Sequence, residues 1–321
     1  MTILAVIGEF DCGGNVNYYT TSSLKYDTNY SRMGLDGHSS FSDTTGHSIS
    51  VDSSSSTIWI HCRFDLATSS IYDGALILIK SGSDEILRID ESNGDLTLQY
   101  HNGTAWTNIG YTYNQPGGVL NIDIEVYVHD TLGRFAWYVG ENTISSLDGD
   151  TKYRTGTTID ELVIPMGGST GSYLSEVIVA DECTFGWRLA TLVPNADHTI
   201  TDFSGTYADI DDIIDDATYQ SSSTATDQQM YDMTSLYDDG FDIQGVVICY
   251  RARDNGSTPD YIRAMIRPSS SDVDIAYSSS HTLTTSFVDY RHIWTDNPKT
   301  SSQWTRSEIG TLLSGFECRS S

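Results

Sequence analysis

The sequence predicts an all-β protein of two β-sandwich domains with one short helix near its C-terminal end, and three observations predict it. At 321 residues the chain is longer than one ordinary domain, so two units, each large enough for a core, are expected. Its acidic residues, mostly aspartate, come with abundant Ser, Thr and Gly and twenty Tyr, a mixture that suits strands and turns and disfavours long helices. Apolar residues alternate with polar ones in short runs separated by turn signals.

The clearest run is Leu120-Asn121-Ile122-Asp123-Ile124-Glu125-Val126-Tyr127-Val128. Its even positions are apolar, so a period of two sends them to a core and the odd positions to the outer face. Before it come strands at 58–64, 75–80, 86–90 and 95–100, with Asn93-Gly94 and Asn102-Gly103 as hairpin turns. After it come strands at 134–139, 161–166 and 174–179. The opening run, Ile3-Leu4-Ala5-Val6-Ile7, lacks a basic lead-in, is too short for an export signal or membrane span, and reads as an edge strand.

A boundary is expected where Leu174, Val177 and Val179 give way to Gly186 and Trp187, then to the turn cluster Pro194-Asn195-Ala196-Asp197. That divides the chain into domains at 1–187 and 188–321. In the second, strands are expected at 246–250, 261–266, 274–277 and 287–293. Thr305-Arg306-Ser307-Glu308 is a capping box that should start a helix over 306–313, burying Ile309, Leu312 and Leu313.

With 44 Asp and Glu against 17 Lys and Arg, the formal net charge is −27. Such a charge repels nucleic-acid phosphates and anionic lipid, so neither nucleic acid binding nor membrane insertion is expected. Cys12, Cys62, Cys183, Cys249 and Cys318 form no CxxC pair, which suggests reduced, mostly buried thiols rather than a disulfide framework or zinc site.

Candidate chemistry is sparse. Glu9-Phe10-Asp11 starts the E-x-D-x-x-E pattern of retaining glycosidases, but Gly14 stands where the second glutamate is required. Gly167-Gly168-Ser169-Thr170-Gly171 matches the G-x-S-x-G elbow, yet a strand rather than a helix follows it. No catalytic residue is assigned, and the protein is expected not to be an enzyme. His61 and Cys62 point to opposite faces of one strand and cannot share a metal. Asp209, Asp211, Asp212 and Asp215 offer the carboxylates a calcium ion would need, against the plainer reading of an acidic surface loop broken by isoleucines. No other cofactor is expected. The six Trp suit cores and interfaces as well as sugar stacking, and the exposed aromatic candidates for a glycan are Tyr18, Tyr19, Tyr111 and Tyr113, all in expected loops.

Together, Gly8-Glu9-Phe10-Asp11, Ser31-Arg32-Met33-Gly34, the strand order over 49–180 with Trp137-Tyr138-Val139-Gly140, and the closing Trp294, Asn297-Pro298 and Trp304-Thr305 carry a resemblance. The chain resembles structural proteins of tailed, marine-type bacteriophages in which a concanavalin A-like or laminin-G-like sandwich precedes a jelly-roll-like module. The resemblance implies a virion protein assembled in the host cytoplasm and exposed on capsid or tail as a decoration, spike or fibre component. Its implied partners are other virion proteins, further copies of itself, with a trimer by analogy with fibres, and host-surface glycans. The alternative is a stand-alone carbohydrate-binding module or a glycoside hydrolase of concanavalin-like fold.

Overall fold

The computed structural model describes residues 3–7, 33–34, 47–51, 56–66, 74–92, 94–114, 118–153, 158–164, 173–190, 192–210, 218–236, 242–256, 259–269 and 273–320. Tyr18, Tyr19, Asp211, Asp212, Asp215, Glu9, Asp11 and the 167–171 motif lie outside them. The chain forms two compact units that meet between Leu189 and Ala190, two residues beyond the expected boundary.

In the first unit, β1 (Ile3–Ile7), β2 (Met33–Gly34) and β3 (His47–Ser50) precede the long β4 (Thr57–Leu66). Next come β5 (Gly74–Ser81), β6 (Asp84–Ser92) and β7 (Asp95–His101), followed by the short β8 (Trp106–Asn108) and β9 (Tyr113–Asn114). A meander of β10 (Gly118–Tyr127), β11 (Gly133–Val139) and β12 (Asn142–Gly149) leads to β13 (Glu161–Ile164) and β14 (Tyr173–Ala180). One sheet has the order β1-β14-β4-β10-β11-β12 with β2 on β14, so β1 is the edge strand that its sequence predicts. The other runs β3-β13-β5-β6-β7-β8, with β9 on β7.

The two sheets form a sandwich around one apolar core. Ile122, Ile124 and Val126 of β10 and Ile58, Ile60 and Phe64 of β4 meet Leu87 and Ile89 of β6 and Leu96 and Leu98 of β7. All ten are at most 1% exposed, and each such side chain contributes about 1.5–3 kcal/mol by leaving water.

The second unit has β15 (Pro194–Thr201), β16 (Gln228–Met233), β17 (Val246–Ala252), β18 (Tyr261–Arg267), β19 (Ala276–Tyr277), β20 (His281–Thr282) and β21 (Val288–Trp294). The hairpin of β22 (Asp296–Asn297) and β23 (Ser302–Gln303) precedes α1 (Arg306–Ile309) and β24 (Leu313–Arg319). The main sheet is β15-β16-β24-β18-β19, with β20 also on β18, and the β17–β21 ribbon packs Ile248, Tyr250 and Trp294 against Ile262, Ala264 and Ile266 of β18. The protein is thus all-β with two sandwich units.

Two local expectations need correction. Pro194-Asn195-Ala196-Asp197 is not a turn but the start of β15, whose pairing with β16 is bulged between Pro194 and Ala196. Proline is tolerated there because it is the first residue of an edge strand, where its missing N–H leaves no ladder bond unmade. The capping box forms as expected, with Thr305 Oγ1 accepting from Glu308 N at 3.3 Å and Thr305 N donating to Glu308 Oε2 at 2.7 Å. The helix nevertheless ends at Ile309, with Gly310 as its C-cap, and Leu313 begins β24. Ile309, Leu312 and Leu313 are still buried.

Of the four described cysteines, all are free; Cys62 and Cys318 are buried, Cys249 is half-buried and Cys183 is exposed.

Rings of the ribbon's inner face pack with His281 of β20. His281 lies 5.2 Å from Tyr290 and 6.3 Å from Tyr250, while His292 packs edge-on to Trp294. Burial lowers the pKa of His281, and burial together with the charge of His281 lowers that of His292. The unfolded chain, with ordinary histidines near pH 6.5, therefore takes up protons before the folded one does. Stability is complete above that pH and is lost as pH falls through it. The second unit's melting temperature should drop between pH 7.5 and 5.5, and a His281→Gln, His292→Gln double variant should flatten that drop in calorimetry.

Candidate carbohydrate-binding face

The outer faces of the two sheets in the first unit differ in what covers them. On the β4–β10 face, His61, Asp123 and Tyr138 point away from the core, as alternation requires, yet they are 0%, 2% and 7% exposed. The segment after β14 lies over them. Thr184 Oγ1 donates to Asp123 Oδ1 at 2.7 Å, and Phe185 packs edge-on against Trp59 and Tyr138 at 5.3 and 4.8 Å.

Asp123 Oδ1 also accepts from His61 Nδ1 at 2.9 Å, which fixes the proton on that nitrogen because a carboxylate only accepts. His61 Nε2 is buried with no partner among the described residues. A bulge in β14 between Ser175 and Ile178 adds a second latch. There Glu176, at φ 54°, accepts from Arg63 NH1 at 2.9 Å and from Leu189 N at 3.4 Å. The part of this face around His61, Asp123 and Tyr138 is covered by the chain itself.

The outer face of β6, β7 and β8 is lined differently. Arg88 pairs with Gln99 and Gln99 with Asn108 in the ladder, so the three side chains form one row across the strands. His101 and Trp106 pair in the next row of the same face. Arg88 Nε donates to Gln99 Oε1 at 2.7 Å, and Gln99 Nε2 donates to Asn108 Oδ1 at 2.8 Å. Because arginine has no acceptor, it sets the direction of the whole relay. Both amides are turned the same way, and the Asn108 Nδ2 hydrogens are left outward on an exposed residue.

Trp106 stands beside this relay, half-exposed, with the Arg88 guanidinium 4.4 Å from its ring centroid and His101 edge-on at 5.2 Å. The Asn102-Gly103 turn fixes its position. Asn102 Oδ1 accepts from Thr104 N and Ala105 N, Asn102 Nδ2 donates to Thr107 Oγ1, and Gly103 takes φ 92°, a left-handed conformation that disfavours other residues. A rigid indole next to fixed amide donors and acceptors suits a saccharide, whose C–H face stacks on a ring while its hydroxyls bond at the rim. Two ion pairs on this side of the sheet, Arg88–Asp90 at 3.2 Å and Lys80–Glu161 at 2.6 Å, couple each cation to a carboxylate.

The aromatic candidates from sequence fare unequally. Tyr111 is 81% exposed in the loop between β8 and β9. Tyr113 is not a platform: it pairs with core-facing Leu96 and packs edge-on against buried Trp137, so alternation turns it inward. Asp209 Oδ2 accepts from Thr206 N at 2.7 Å and so caps the 3-10 turn Tyr207–Asp209. No group of three or more His, Cys, Asp or Glu side chains suited to a metal occurs among the described residues. Arg88, Gln99, Asn108 and Trp106 were not singled out as a set from sequence, although their odd–even placement on runs flanking two Asn-Gly turns was the available signal.

No protein-family profile and no curated protein matches the chain. Among solved structures, similarity is found to the Caenorhabditis elegans galectin LEC-6, with 13% identity over 43% of this chain and 92% of that one, at a TM-score of 0.32. The family 7 alginate lyase A1-II′ shows 16% identity over 51% and 85% of the two chains at 0.34, and the T. cruzi calreticulin globular domain 6% over 43% and 69% at 0.31.

Proposed function

We propose that the protein is a non-enzymatic carbohydrate-binding protein whose first unit takes a neutral saccharide on the outer face of β6–β8. The observation that carries this reading is Trp106, half-exposed and held against Arg88 beside the Arg88–Gln99–Asn108 relay, whose last member Asn108 is exposed. The relay supplies directional bonds, the indole supplies a stacking surface, and the local ion pairs leave no spare charge to favour an acidic sugar. An open face of this kind holds a ligand weakly, since little of the ligand is buried.

Weak single contacts become effective when copies are linked, which fits the tailed-phage virion implied by the resemblance of the sequence. In that setting the protein would be displayed on capsid or tail, assembled with other virion proteins or its own copies, and would meet host-surface glycans. The reading is tested by screening the labelled full-length protein on a glycan array at low micromolar concentration, with free saccharide as competitor. Competable binding to neutral saccharides is expected, and an array without any competable signal for the multimerised protein would reject it.

A further inference from the structure

In a chain with 44 carboxylates and 17 Lys and Arg, three arginines stand together on the outer face of the β17–β21 ribbon. Ile248 and Tyr250 turn into the core, so the alternate residues Cys249, Arg251 and, just past the ladder, Arg253 face outward. Across from them lie Arg291, Asp289 and Phe287, so among the described residues of the two strands this face holds one carboxylate and three guanidiniums.

Arg251 NH1 holds both oxygens of Asp289, at 3.3 and 3.2 Å. Arg253 is used differently. Its guanidinium lies 4.6 Å from the Phe287 ring centroid and 5.9 Å from that of Tyr219, and it makes no ion pair among the described residues. Tyr219 is 51% exposed and tilts against Phe287 at 6.2 Å. The aromatic rings thus hold a planar cation in place without neutralising it, and its N–H fork remains available to an outside oxyanion.

We propose that this ribbon face is a second binding site, selective for an acidic saccharide, in which the carboxylate or sulfate of a sugar ring is gripped by Arg253 and the ring rests on Tyr219 and Phe287. The planar fork of arginine matches a two-oxygen anion better than the point charge of a lysine does. The net charge of −27 argues against a polyphosphate such as nucleic acid, which would extend far beyond the patch. A single anionic group is different, because charges more than about 8 Å away are largely screened at physiological ionic strength while the Arg253 guanidinium would be in direct contact with it.

The test is calorimetric titration of the full-length protein with tri-galacturonate, its neutral methyl ester and a sulfated disaccharide. At least one of the two acidic probes should bind about tenfold or more tightly than the ester, and which one does identifies carboxylate or sulfate as the natural group. Arg253→Ala should remove that preference, Arg253→Lys should recover only part of it, and both variants should melt as wild type does because the side chain is exposed. Trp106→Ala should leave acidic binding unchanged, since that residue belongs to the other unit. Equal binding of the ester, no binding of either acidic probe, an unaffected Arg253→Ala variant, or loss of acidic binding in Trp106→Ala would each overturn the proposal.

Discussion

Replacing Gly315 with alanine should abolish the second unit's thermal transition at physiological temperature while leaving that of the first unit in place. Gly315 lies in β24 between β16 and β18, opposite Met230 and Met265. A Cβ at this position would sit 1.8 Å from the carbonyl oxygen of Gln229, inside the neighbouring strand's backbone. A flexible side chain could swing away from such a contact, but a ladder strand cannot without giving up its hydrogen bonds. Forced overpacking in a core costs about 1–3 kcal/mol when side chains can adjust, so a backbone clash should exceed that range. The first unit has its own core and should be spared, because none of its buried cluster comes from the second unit. Differential scanning calorimetry should therefore show one of two transitions lost, whereas a uniform shift of a single transition would contradict separate cores.

Asp123→Ala should destabilise the first unit by roughly 3 kcal/mol. The substitution strips two buried donors, His61 Nδ1 and Thr184 Oγ1, of the one acceptor each has among the described residues, and each orphaned group costs about 1–3 kcal/mol. The segment from Cys183 to Leu189 should loosen as well, since Thr184 is one of its latches to the sheet. Urea unfolding would show the loss, and hydrogen exchange would show faster exchange at 183–189. Unchanged unfolding would mean that this buried polar group does not hold the segment down. Binding of a neutral saccharide at β6–β8 should survive at temperatures where the variant is folded, because that face is on the opposite sheet.

Much of the first sandwich could be read from alternation. The run from Leu120 to Val128 lies where its period of two places it, with its even residues in the core; Gly94 stands between β6 and β7 as expected, whereas Asn102-Gly103 turns β7 into β8, a strand that was not anticipated. The bulge in β14 was not anticipated. The apolar set steps from Leu174 to Val177 rather than to residue 176, and the ladder slips there. What alternation does not reveal is what lies over an outer face. Asp123 and His61 occupy polar positions of their strands but are buried by the segment at Thr184, which lies 61 residues from Asp123 and about twice as far from His61 in sequence. The same limit applies to the candidate site, since Arg88, Gln99, Asn108 and Trp106 come from three strands and come together only through register. In the second unit, β15 and β16 escaped notice because bulges and polar residues interrupt their period.

Trp106 and the adjacent amide relay are the proposed saccharide site. Its most direct test is isothermal titration of the best neutral saccharide from the array into the full-length protein, its Trp106→Ala variant and its Arg253→Ala variant. Trp106→Ala should weaken binding by at least about tenfold, a loss of about 1.4 kcal/mol, because the stacking surface is gone. Arg253→Ala, in the other unit, should bind as wild type does. A Trp106→Ala variant that titrates like wild type, with its fold intact, would rule out stacking on Trp106 and move the site away from β6–β8.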